Sequence, residues 1–298
     1  MPPPPRPRHL PLPIAGSVTN TPRLPPITTA QRRQKSTSST DPEPPAAALS
    51  PRWLSDLKSR VGKCITFGLS SSQVGVAGKV MGEIARDWRD LVAEREGFLT
   101  GPQRRGLYRH TVVWGEMDSM REVGHVNNVT YNRYAESARV EWARKYATYI
   151  DPAHRVEWGQ LCTNKGDGLI MKSIKTDFKF PMTCPDHITV YHKLAQEPEA
   201  GSSSFVLDVL ILSELHQRPA ARLSEDLVLY DYTQGKKAPL RPFMLDAFKQ
   251  TWRLQEEARK ASSEKVKQLL HTVRQLELDS WDRADAKEDF GSAAASGQ

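Results

Sequence analysis

Trp114-Gly-Glu116-Met-Asp118-Ser-Met-Arg-Glu-Val-Gly124-His125-Val-Asn127-Asn128-Val-Thr-Tyr131-Asn132-Arg-Tyr134-Ala-Glu136 is the stretch on which the fold turns. Its first part reads as a loop that ends at Asn128. From there Tyr131, Tyr134, Ala135, Ala138, Trp142 and Tyr146 recur at helical spacing and form one apolar stripe. The spacing predicts a helix from about Val129 to Tyr149, ended by Asp151-Pro152 because the residue before proline is driven out of the helical region. Asn127 and Asn128 stand where an N-cap is needed.

Working outward, a short strand is expected before the loop, from Tyr108 to Trp114. Four strand-like runs follow the helix: Gly168 to Pro181, Ile188 to Leu194, Phe205 to Ser213, and Ala221 to Tyr232. They carry β-branched and aromatic residues in partial alternation, and turns bearing Pro, Gly or Ser separate them. One strand, a long helix and then four strands is an α+β layout with an antiparallel sheet. The aromatic stripe of the helix needs burial, so the sheet is expected to curve around it.

The Trp114–Glu136 stretch resembles the hotdog-fold thioesterases of the thiol ester dehydrase-isomerase superfamily. It is most similar to the 4-hydroxybenzoyl-CoA thioesterase-like and acyl-CoA thioesterase branch, and also to the plant acyl-carrier-protein thioesterases. The shared features are the acidic-x-Asp turn at Glu116 and Asp118, the His125-Val-Asn127-Asn128 run, and Tyr131, Tyr134 and Glu136 on the following helix. Lys175-Thr-Asp-Phe-Lys-Phe-Pro181 and Asp186-His-Ile-Thr-Val190 resemble the strand–Pro–turn–strand that comes next in that family. The resemblance covers roughly residues 105–235. It implies a hotdog fold, hydrolysis of an acyl thioester, a homodimer or larger homo-oligomer, and no cofactor beyond the coenzyme A or phosphopantetheine that belongs to the substrate. There is one departure. Six residues, Ser119 to Gly124, separate Asp118 from His125, where the family has about three. A shift of ~1 Å in a reacting group can cost two orders of magnitude in rate.

Thioester hydrolysis needs a base or nucleophile on one side of the carbonyl and a stabiliser of negative charge on the other. Asp118 is a candidate carboxylate, attacking the carbonyl directly or deprotonating a water. The first amides of the helix, near Asn127 to Thr130, are expected to be unpaired and to suit an oxyanion. Asn127 and Asn128 are candidates to cap the helix, orient the water, or both. His125 is a candidate to orient Asp118 or to exchange a proton. Asn128, Asn132 and Glu136 lie on one polar flank beside the apolar stripe, which makes Glu136 a second candidate carboxylate. The bland alternatives are a plain cap for the asparagines, and surface pairing of Glu136 with Arg133 or Arg139. Glu116 reads as a turn or orienting residue. Lys172, Lys175 and Lys179 alternate in facing and make no phosphate clamp by spacing.

The flanks carry the remaining expectations. Residues 1–50 hold six cations, Arg6, Arg8, Arg23, Arg32, Arg33 and Lys35, and the first forty residues have no acid; these six account for all but +1 of the net +7. The basic balance therefore belongs to the leader, and nucleic-acid binding is not expected. An Arg-, Ser- and Pro-rich segment free of acids reads as a mitochondrial transit peptide, or else as an ordinary disordered tail. Residues 51–100 read as a helical extension that packs on the main domain or rests on a membrane surface. Within it a first helix carries Trp53, Leu54, Leu57 and Val61, with Ser50 as cap and Pro51 at its first position. A second is expected over Val80 to Glu96, closed by Gly97. Residues 101–240 are read as the hotdog domain, 241–282 as a docking or self-association helix, and 283–298 as a polar tail. Cys64, Cys162 and Cys184 have no metal-ligand spacing and are expected to be reduced and buried. No run of ~18 apolar residues exists for a membrane span. Two functional readings remain: an acyl-thioester hydrolase, and a catalytically silent hotdog domain that serves as an assembly module in a mitochondrial complex.

Overall fold

The computed structural model describes residues 49–113 and 124–288. The elements run α1 (Trp53–Thr66), α2 (Ser71–Ala93), β1 (His110–Thr111), α3 (Asn128–Lys145), α4 (Arg155–Gln160), β2 (Asp167–Phe178), β3 (His187–Leu194), β4 (Ser204–Ser213), β5 (Arg218–Asp231), β6 (Lys236–Lys237) and α5 (Pro242–Asp279). The strands form one antiparallel sheet in the order β1-β3-β4-β5-β2, with β6 added to β5. This curled sheet holds α3 against one face, which is the hotdog arrangement.

All six residues of the predicted stripe on α3 are buried. Tyr131, Tyr134, Ala135 and Ala138 pack on Ile188, Val190, Val209, Ile211 and Leu223, the inward residues of β3, β4 and β5. Further along, Trp142 and Tyr146 join Trp158 of α4, Leu207, Leu227 and the start of α5 at Met244 and Phe248. The period-two alternation of the strands sends Tyr191, Leu210 and Leu212 to the opposite face. There α1 and α2 meet them with Leu57, Val61, Ile84, Trp88 and Leu91, together with Val266, Leu269, Val273 and Leu276 of α5. The 38 residues of α5 extend about 57 Å, enough to cover the α3 layer with one end and the outer layer with the other. The apolar stripes of α1 and α2 are thus engaged with the domain rather than left for a membrane surface.

Several local expectations are corrected. Helix α2 begins at Ser71 and not near Val80. Ser70 and Gln73 form a reciprocal capping box that nucleates the earlier start, and nothing lies within 4 Å of where a Cβ would stand at Gly75, Gly78 or Gly82. Pro51 lies one residue outside α1, whose N-cap is Arg52; the Ser50 hydroxyl accepts from the Arg52 amide. The strand expected over Tyr108 to Trp114 shrinks to two residues. Arg109 has φ +50°, and its neighbours pair irregularly with β3 through Leu107 and Val112. Only Cys64 is buried; Cys162 is exposed and Cys184 intermediate, and all three are free thiols.

Candidate active site along helix α3

The start of α3 is clasped from two sides. The Val126 amide donates to the Met182 carbonyl at 2.8 Å, and the Met182 amide donates to the Tyr131 hydroxyl at 3.2 Å. Residues between β2 and β3 therefore hold the His125–Asn127 segment against the sheet. Burial pushes the Tyr131 hydroxyl pKa up, so it stays protonated and polar contacts there are neutral.

Asn127 is the N-cap. Its side-chain oxygen accepts from the Val129 amide at 2.9 Å and its carbonyl accepts from the Thr130 amide at 2.9 Å. This corrects the expectation of a row of free amides between Asn127 and Thr130, because the cap itself consumes two of them. Among the described residues the Asn128 amide is the first helical N–H that the cap leaves unengaged. Half-buried His125 places Nδ1 3.1 Å from the Val126 carbonyl. A carbonyl can only accept, so Nδ1 is the donor in this contact. Asp118 and Glu116 lie outside the described residues, as does the inserted segment up to residue 123.

The polar flank of α3 faces β2. Asn132 accepts from the Thr176 hydroxyl of β2 at 2.8 Å. Asn128 and Glu136 are exposed on either side of it. Glu136 makes no ion pair among the described residues, and Arg139 turns inward to Glu225 instead. Surface pairing therefore does not account for Glu136. It borders a cleft of ≈ 350 Å³ with Arg139, Val140, Cys162, Leu169 and Tyr232. Along the axis, however, Glu136 stands about 12 Å from Asn128, eight residues at 1.5 Å each. The structure brings His125, Asn127 and Asn128 together at one end of the flank and leaves Glu136 at the other. One carbonyl carbon cannot touch both ends within a single chain.

Sequence reasoning missed a buried charged cluster just beneath this flank. The Arg139 guanidinium donates to Glu225 of β5 at 2.7 Å, and His192 Nε2 of β3 lies 3.6 Å from the second oxygen of the same carboxylate. The Glu225 and His192 side chains are 0% exposed. Burial would raise the Glu225 pKa, but His192 and Arg139 outweigh it and hold the carboxyl below its ordinary value. Neither ring nitrogen of His192 has a hydrogen-bond partner among the described residues. The available signal was register: His192 falls between inward Val190 and Leu194, and Glu225 between inward Leu223 and Leu227. Among the described residues no group of three or more His, Cys, Asp or Glu could hold a metal ion. No helix among them is long and apolar enough to cross a membrane.

Comparison with known proteins adds a family. Residues 112–248 match the model of the thioesterase-like superfamily. Similar solved structures include a thioesterase from Thermus thermophilus in complex with coenzyme A and zinc, 22% identical, with 52% of this chain and 98% of that one covered at a TM-score of 0.38. A 1,4-dihydroxy-2-naphthoyl-CoA thioesterase from Synechocystis is 19% identical, with 51% and 94% covered at a TM-score of 0.36. No curated protein matched the chain. The matched segment begins at the end of β1, contains α3 with its polar flank and the whole of β2 to β6, and stops in the first turns of α5. Over residues 112–248, somewhat under half of its length, this chain is thus similar to the thioesterase-like superfamily.

Proposed function

We propose that the chain hydrolyses an acyl thioester of coenzyme A or of an acyl-carrier protein to free acid and thiol. The observation that carries this reading is the superfamily match over a segment whose central helix presents His125, Asn127 and Asn128 at its capped start. In the proposed mechanism Asp118 is the reacting carboxylate. It takes a proton from water, or attacks the carbonyl and is released by water; in either case the C–S bond breaks and the sulfur leaves as the thiol. The Asn128 amide and the positive end of α3 favour the negative charge on the carbonyl oxygen. His125, with Nδ1 held by the Val126 carbonyl, keeps Nε2 free to exchange a proton with water or the leaving thiol. Glu136 stands about 12 Å further along and belongs to the substrate cleft, or to the chemistry of a neighbouring subunit. No separate cofactor enters: coenzyme A or phosphopantetheine comes with the substrate.

We further propose a homodimer and a mitochondrial address. Strand β2 is the last in the sheet order and pairs only with β5 among the described strands. An edge strand of twelve residues is a template for a second copy. The acid-free, Arg-rich leader supports import into the mitochondrial matrix.

The test is release of free thiol from a panel of acyl-CoAs and acyl-carrier proteins by the full chain. Asp118→Asn should abolish turnover, and Glu136→Gln should raise KM more than it lowers kcat. An unchanged rate in Asp118→Asn removes the mechanism. No hydrolysis of any panel member, together with stable co-purification in a large assembly, favours the silent assembly module instead. Sedimentation reads the dimer, and imaging of the chain with and without residues 1–50 reads the address.

A further inference from the structure

A second cavity, of ≈ 210 Å³, lies where the start of α1, the end of α2 and the start of β5 meet. Five cations line it: Arg52, Arg95, Lys179, Arg218 and Arg222. The one carboxylate in the lining, Glu96, is already held by Arg222 through two hydrogen bonds of 2.5 and 2.7 Å. Arg95 approaches Glu96 only to 4.0 Å, and its buried Nε has no hydrogen-bond partner among the described residues. Among the described residues Arg52, Lys179 and Arg218 form no ion pair at all.

Such a cluster is costly when empty. Burial, and then the charge of Arg222, pull the Arg95 pKa down; burial and the charge of Arg52 do the same to Arg218. Yet the guanidinium groups are kept in place by ring contacts that leave their donors available. Arg95 lies 5.8 Å from the centre of the Trp53 ring, and Arg218 4.0 Å from that of Phe180. Planar forks of this kind match phosphate oxygens in pairs. The backbone is also committed: Gln217, at the turn leading into Arg218, has φ +49°, a conformation that non-glycine residues rarely adopt. Its side chain is anchored by Lys58 at 2.6 Å.

We propose that this cavity is a binding site for the phosphate group of a small molecule, with Arg95, Arg218 and Lys179 as its ligands and Trp53 as its floor. Part of the lining, residues 49–55 and 92–96, precedes the matched superfamily segment, while Lys179 and residues 217–222 lie within it; the proposal makes no use of the thioesterase reading. Inorganic pyrophosphate and a phosphorylated nucleoside share the required chemistry.

The experiment is isothermal titration of the full chain with pyrophosphate, and separately with adenosine 3′,5′-bisphosphate, at constant ionic strength. At least one should bind saturably at one site per chain, and the tighter of the two identifies the source of the phosphate. Arg218→Gln and Lys179→Gln should each weaken binding about tenfold, while Lys267→Gln on the exposed side of α5 should leave it unchanged. A readout that a structural role would not produce accompanies these. Without ligand Arg218→Gln should melt no lower than the parent chain, since it relieves repulsion, yet it should lose the ligand-induced rise in Tm. Absence of saturable binding by both probes, or equal weakening by Lys267→Gln, overturns the proposal.

Discussion

Arg139→Met is the sharpest probe of how α3 is held on the sheet. It removes the 2.7 Å hydrogen bond to Glu225 and leaves a carboxylate that is 0% exposed with the His192 ring at 3.6 Å as its remaining polar neighbour. Breaking a buried pair from one side costs about 3–5 kcal/mol, because the abandoned charge cannot return to water. At about 2–4 °C per kcal/mol for a domain of this size, Tm should fall by about 6–20 °C. Glu225→Gln should cost less. The Arg139 side chain is 15% exposed and borders the α3 cleft, so it can swing toward solvent, whereas Glu225 has no such exit. The sign of the pH dependence follows from the depressed Glu225 pKa. In the parent chain this carboxylate contributes stability at neutral pH and keeps it until the pH falls below the ordinary glutamate value. In Arg139→Met the carboxyl loses the guanidinium that favours its charged form, and it protonates at higher pH. The stability deficit should therefore be largest near neutrality and narrow as the solution is acidified. Chemical denaturation at several pH values reads both effects. A loss under about 1 kcal/mol at neutral pH, or a deficit that widens in acid, refutes the reasoning.

Three further outcomes are expected. Gln255→Leu removes the side chain that accepts from the Leu194 amide at 2.9 Å and donates to the Leu194 carbonyl at 3.1 Å, leaving both groups buried and unpaired. The cost should be about 1–3 kcal/mol per orphaned group, read by denaturation and by faster hydrogen exchange at Leu194. Gly106→Ala would place a Cβ 2.7 Å from the Ala138 Cβ and 2.9 Å from the Ala138 carbonyl. Helix α3 must then shift, at about 1–3 kcal/mol, with a lower denaturant midpoint as the measurement. Ser70→Ala deletes the capping box of α2 and should cost about 1 kcal/mol, with early loss of protection at the Gln73 amide.

Much of the fold was legible because period and punctuation act locally. The α3 stripe from Tyr131 to Tyr146 and the four long strands lie within a few residues of their expected limits, since burial on one face imposes a period of 3.6 or 2 on the chain. The misses have equally local causes. The second helix was expected only from Val80, yet a capping box at Ser70 and tertiary packing carry α2 through Gly75 and Gly78 from Ser71. In the candidate site, Asn127 was legible as a cap, but its use of the Val129 and Thr130 amides depends on cap geometry that residue type does not specify.

By itself the sequence determined the α+β class, the helix that the sheet must cover, and the Trp114–Glu136 stretch that ties the chain to thioesterase-like proteins. Those are properties of residues near one another in the chain. Only the tertiary structure decided that Arg139 turns away from Glu136 to meet Glu225, 86 residues distant, and that Lys179 joins Arg52, Arg95, Arg218 and Arg222 around one cavity. Electrostatic partnership depends on distance in space and on the exclusion of water, and neither is encoded in the spacing of residues along the chain.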